Sequence, residues 1–125
     1  MKSKWLELPE DHDYASAYDY LSLKAGDKSA NEMVDLLRSA PIIQRKAKDI
    51  LRASDLTALT KKNRHVKKDI HKIEDKTPLS PILLVAGNPK LNIPLLIADG
   101  FHRMCAAYLF DEDLEVHCKV IEYNW

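Results

Sequence analysis

Ile97-Ala98-Asp99-Gly100-Phe101-His102-Arg103-Met104-Cys105-Ala106-Ala107-Tyr108 reads as an apolar strand that turns through Asp-Gly into a helix opening on His-Arg. Gly100 supplies the positive φ that a tight strand-to-helix reversal needs, so the N–H groups of Phe101 and His102 point outward at a helix N-terminus. That end of a helix is positive and attracts anions. Arg103 adds a permanent guanidinium fork that matches phosphate oxygens, and His102 adds a donor whose charge responds to a bound anion. Asp99 either caps the helix or helps to hold a cation beside a phosphate; the bland alternative for the stretch is an ordinary turn with a solvated first helical turn.

Working outward, Cys105, Ala106, Tyr108 and Leu109 continue the helix to Phe110, and Val116 to Ile121 alternates as a closing strand. Upstream, Ile82-Leu83-Leu84-Val85-Ala86 is an apolar run of strand length, and Gly87-Asn88-Pro89-Lys90 is turn chemistry. Leu95-Leu96-Ile97-Ala98 then forms the second strand of a hairpin. Asn63 caps a helix with Val66, Ile70 and Ile73 at i, i+4 and i+7, ended by Pro78 and Pro81. Asp55-Leu56-Thr57-Ala58-Leu59 is either a short strand or an extended connection. The expected order of the C-terminal part, residues 54–125, is therefore helix, strand, strand, helix, strand.

Residues 1–53 have helical periodicity instead. Ala17, Tyr18 and Leu21 mark a helix over Ala15–Lys24 that stops at Gly26-Asp27. Ser29-Ala30-Asn31-Glu32 reads as a capping box before the stripe of Met33, Val34, Leu36 and Leu37. Pro41 is expected to start a third helix through Ile42, Ile43, Ala47, Ile50 and Leu51, making a helical hairpin joined at Ser39-Ala40. The expected fold class is α+β: one domain over residues 1–125, a small mixed sheet with packed helices, preceded by a helical N-terminal extension.

At 125 residues with 46% hydrophobic content, the chain can build a core without disulfides or metal. Nineteen basic and nineteen acidic side chains cancel, so no global field recruits nucleic acid or a membrane. The charge is nonetheless segregated: Lys61–Lys76 has seven basic residues against three acidic, and Leu95–Trp125 has two against six. Cys105 and Cys118 lie inside apolar patterns and read as buried thiols of a reducing, cytoplasmic compartment. They do not pair with His102 and His117 into a metal site, because His117 and Cys118 face opposite sides of a strand and no C-x-x-C is present. Asp111-Glu112-Asp113 is a solvated turn, and Trp5, Tyr14, Tyr18 and Tyr20 are core or docking residues. No signal region or membrane-span pattern is present, so no membrane partner is expected.

The pattern Asp99-Gly100-Phe101-His102-Arg103-Met104-Cys105-Ala106-Ala107-Tyr108 resembles the phosphate-binding loop of the superfamily that joins the ParB N-terminal domain with sulfiredoxin. The order of elements around it agrees, and the resemblance covers roughly residues 54 to 121. It is also similar to small bacterial proteins built on that domain. It implies ATP or CTP with Mg²⁺ as ligand, with Gly100, Phe101, His102 and Arg103 at the phosphates. Superposed on the family's preceding helix, His65, Lys68 and Lys72 fall at i, i+3 and i+7 on one nucleotide-facing side. Phe101 stands where sulfiredoxins carry their reactive cysteine, which argues against sulfinic acid reduction. No helix-turn-helix follows the loop, which argues against DNA partition.

Two readings follow. One is a nucleotide-dependent enzyme that transfers or hydrolyses a phosphoryl group, with His102, Asp99 and Asp55 as candidate catalytic residues. The other is a nucleotide-sensing or partner-binding module without chemistry. Direct DNA binding or nuclease action through the Lys61–Lys76 helix ranks below both.

Overall fold

The computed structural model describes residues 3–125. Its α+β architecture is a four-stranded mixed sheet with helices packed on both faces. The strands are β1 (Ile43–Lys46), β2 (Ile82–Val85), β3 (Leu96–Asp99) and β4 (Glu115–Ile121), in the order β1-β4-β2-β3. β2 pairs with β3 antiparallel, as a hairpin requires, and with β4 parallel from Ile82↔Cys118 to Val85↔Ile121.

Every residue of β2 is buried, because alternate side chains enter two separate cores. Ile82 and Leu84 join Val66, Ile73, Met104 and Val116 under α3 (Ala47–Ser54), α4 (Arg64–Glu74) and α5 (Phe101–Phe110). Leu83 and Val85 join Leu21, Met33 and Leu37 under α1 (Asp11–Ala25) and α2 (Asp27–Ser39). Helices α1 and α2 thus cover one face of the sheet, while α3 joins the cover of the other. Cys105 and Cys118 are buried free thiols. Among the described residues no helix is long and apolar enough to cross a membrane.

The expected elements from Asn63 onward all form, and Asn63 caps α4 by accepting from the N–H groups of His65 and Val66. Asp55–Leu59 resolves into an irregular connection, with Asp55 left-handed at φ 57°. The N-terminal part needs three corrections. The first helix begins at Asp11, four residues before the expected Ala15, because Glu10 and Asp13 close a reciprocal capping box at its start. The second begins at Asp27, so Ser29 lies inside it and caps nothing; Gly26, at φ 84°, ends α1 and opens α2 in a single residue. The third correction is architectural: no helix starts at Pro41. Ala40, which precedes the proline, is extended at φ −73°, ψ 147°, as its clash with the proline ring favours. The chain continues extended into β1, which pairs antiparallel with β4, Ile43 opposite Cys118, and helix begins only at Ala47. The helical hairpin is therefore replaced by an edge strand, and the sheet reaches across the boundary expected at residue 54.

Burial predicts where truncation costs stability. Leu84, 1% exposed in the central strand, should lose about 2–5 kcal/mol on replacement by alanine. Leu23, 90% exposed on α1, should lose less than about 0.5 kcal/mol on the same change. Urea titration of the two variants checks the contrast.

Candidate functional site

β3 ends at Asp99, Gly100 takes φ 102°, and α5 starts at the next residue. The reversal is as tight as its sequence suggests: a Cβ at position 100 would be driven into the Ile82 side chain and crowd the Arg103 guanidinium. No side chain caps α5, so its first-turn N–H groups keep their anion-attracting character. α4 packs along α5 and brings the two histidines near their N-termini together, with ring centroids 5.0 Å apart for His65 and His102.

A cavity of about 370 Å³ opens between the loop, α4 and the start of α1. His65, Lys68 and Lys72 from one helix, and Asp99, Gly100, His102 and Arg103 from the loop, all line it. Two expected residues do not. Phe101 is half-buried and its apolar ring packs against the core under α4 and α5, so only its backbone belongs to the loop. Asp55 is exposed at the end of α3, away from the cavity, and is set aside as a catalytic candidate.

Asp99 neither caps α5 nor stands free. It accepts from Arg103 Nη2 at 3.0 Å, while Arg103 Nη1 lies 3.4 Å from Asp13 Oδ1. Asp13 comes from the first turn of α1 and is 1% exposed. It also accepts from the Ser80 hydroxyl and from the Glu10 N–H. The two carboxylates respond oppositely. Burial pushes Asp13 up, but the Ser80 hydroxyl, the Glu10 N–H and the Arg103 guanidinium outweigh it and hold the group below its ordinary value. Burial pushes Asp99 up to about 6, opposed by Arg103 and reinforced by the neighbouring Asp13. Asp69, half-buried on α4, is raised chiefly by burial, with Lys72, Arg103, His102 and His65 around it acting the other way.

Glu10, His12, Asp13, Asp69 and Ser80 are the site residues that sequence reasoning missed. Asp69 was recoverable, because it lies at i+4 from His65 and so shares the face chosen for Lys68 and Lys72. Nothing in the sequence brings Asp13 to Arg103, 90 positions away. The Asp111–Asp113 turn is tied down elsewhere: Asp113 pairs with Lys48 at 2.7 Å and with Lys46 at 3.6 Å. No protein-family model, curated protein or solved structure matches this chain.

Two predictions follow from the Asp13–Arg103–Asp99 group. Arg103→Ala should cost on the order of 3 kcal/mol, because it strands a buried carboxylate without its cation; denaturant unfolding measures it. The raised Asp99 makes the folded state bind its proton more tightly than the unfolded chain does. Stability from this group is therefore full below pH 3.8 and lost as pH rises to about 6. Asp99→Asn should remove that fall from the stability–pH curve, which urea titration across this pH range measures.

Proposed function

We propose that the cavity binds the polyphosphate of a nucleoside triphosphate, ATP or CTP, with the chain working as a ParB/sulfiredoxin-like nucleotide module. The single observation that supports this most is convergence. Gly100, His102 and Arg103, chosen from the loop, and His65, Lys68 and Lys72, chosen from a helix some thirty positions earlier, line one cavity. A surface run of lysines with no ligand has no reason to meet an uncapped helix N-terminus across a cleft.

In this reading the α5 N–H groups take phosphate oxygens, and Lys68 and Lys72 bring charge from the facing helix. His102, at the start of α5, donates to oxygens on which negative charge builds. A magnesium ion bound with phosphates needs only one or two protein carboxylates and keeps several waters. Asp69, which faces the cavity with no ion-pair partner among the described residues, suits that demand, and Asp99 is the second candidate. Among the described residues no group of three or more His, Cys, Asp or Glu is arranged to hold a metal by itself, so the ion would arrive with its phosphates. Lys68 and Lys72 line this cavity, which favours a small ligand over a duplex.

Calorimetric titration with ATP, CTP, GTP and AMP, with and without Mg²⁺, tests the reading. A triphosphate should bind more tightly than AMP, and Lys68→Ala/Lys72→Ala should weaken it by roughly tenfold or more. Lys68 is exposed and Lys72 half-buried, so that variant should keep the wild-type melting temperature, which Arg103→Ala should not. Failure of every triphosphate to bind at millimolar concentration overturns the reading. Phosphate release or transfer from a bound nucleotide marks an enzyme, and stoichiometric binding without turnover marks a sensor.

A further inference from the structure

The loop arginine is already occupied, and by groups that resemble the ligand. A guanidinium fork grips carboxylate and phosphate through the same N–H donors. At Arg103 those donors are taken by Asp13 and Asp99, two carboxylates against one cation. Glu10 and Asp69 also face the cavity, whereas Lys68, Lys72, His12, His65 and His102 oppose them. At the guanidinium itself, therefore, two carboxylates stand against one cation where a phosphate oxygen would come to rest.

The two contacts are unequal. The bond to Asp99 is 3.0 Å, and the one to Asp13 is 3.4 Å, beyond the ordinary range for a strong charge-assisted bond. Arg103 Nε is buried with no partner among the described residues, so the present grip does not satisfy the guanidinium fully. Asp13, by contrast, keeps two other donors, Ser80 Oγ and the Glu10 N–H, and so stays hydrogen-bonded when the guanidinium turns to a ligand. The arginine can leave Asp13 more readily than Asp13 can leave α1.

We propose that Asp13 and Asp99 act as an internal substitute for phosphate on Arg103, so that α1 gates the site and a bound phosphate draws the guanidinium away from Asp13. This rests on the polyphosphate reading above. It gives α1 a part in ligand binding as well as in the core. The first turn of α1 then reports whether the loop is filled, because ligand entry takes the Arg103 guanidinium from its buried carboxylate and leaves His12 Nε2, 3.5 Å from Asp13 Oδ1, facing it.

Titration of tripolyphosphate into the full chain at neutral pH and fixed salt, wild type against Asp13→Asn, tests this. Asparagine keeps the shape and the acceptor oxygen but removes the competing charge, so the variant should bind roughly tenfold more tightly. The tightening should vanish when Arg103→Gln is added to Asp13→Asn. Unchanged or weaker binding by Asp13→Asn overturns the gate and makes Asp13 a residue that merely orients Arg103. Should Asp13→Asn fail to fold, Asp99→Asn decides, since it leaves the α1 contacts in place and removes the other carboxylate charge: tighter binding supports the gate, and equal or weaker binding overturns it. If tripolyphosphate binds neither wild type nor any variant, and no triphosphate binds either, the polyphosphate reading itself fails and the gate falls with it.

Discussion

Strand β2 has no face toward water, and that double burial shapes the rest of the molecule. Ile82 and Leu84 demand cover on one side, Leu83 and Val85 on the other, and each demand is met by a different part of the chain. A strand of this kind reads as a continuous apolar run because both faces are hydrophobic. Helices α3, α4 and α5 close one side and bring the loop with them. Helices α1 and α2 close the other, and the start of α1 passes the end of β3, where Asp13 meets Arg103. The site is therefore assembled where the two covering layers meet, and it needs both.

Its electrostatics follow from the same geometry. Asp13 is buried because α1 is pressed against the sheet, and a buried carboxylate must find donors. Ser80, the capping box and Arg103 supply them. Asp99 sits at the end of edge strand β3 beside the same arginine, and the two acids share one strong cation. One carboxylate is held down and the other pushed up, which is the expected outcome when like charges meet in a poorly solvated place.

The C-terminal half was legible because each of its signals is local. Asn63 accepts from the N–H groups two and three residues ahead, Val66 and Ile73 repeat at helical spacing, and Gly100 is required by the backbone at its own position. His65, Lys68 and Lys72 could be placed on one face by counting along a helix. The failures were cases where distant partners decide. Ile42 and Ile43 suit a helix or a strand equally well by composition, and only the free edge of β4 settles the matter in favour of β1. Glu10 and Asp13 do form a capping box, but the usual hydroxyl at the first position is missing, which hid the start of α1. The Asp13–Arg103 contact has no sequence signature at all, since it depends on how two layers stack.

β1 carries a further consequence. It is four residues long, pairs on one side only, and presents Gln44, Arg45 and Lys46 to solvent. Unpaired strand edges invite other chains to add on in register, and short edges studded with cations resist that addition. Lys46 is itself drawn to Asp113 and Arg45 turns back onto the Gln44 carbonyl, so this rim of the sheet is held by its own side chains. Gln44, Arg45 and Lys46 thus give the β1 edge the short, charged character that disfavours strand addition.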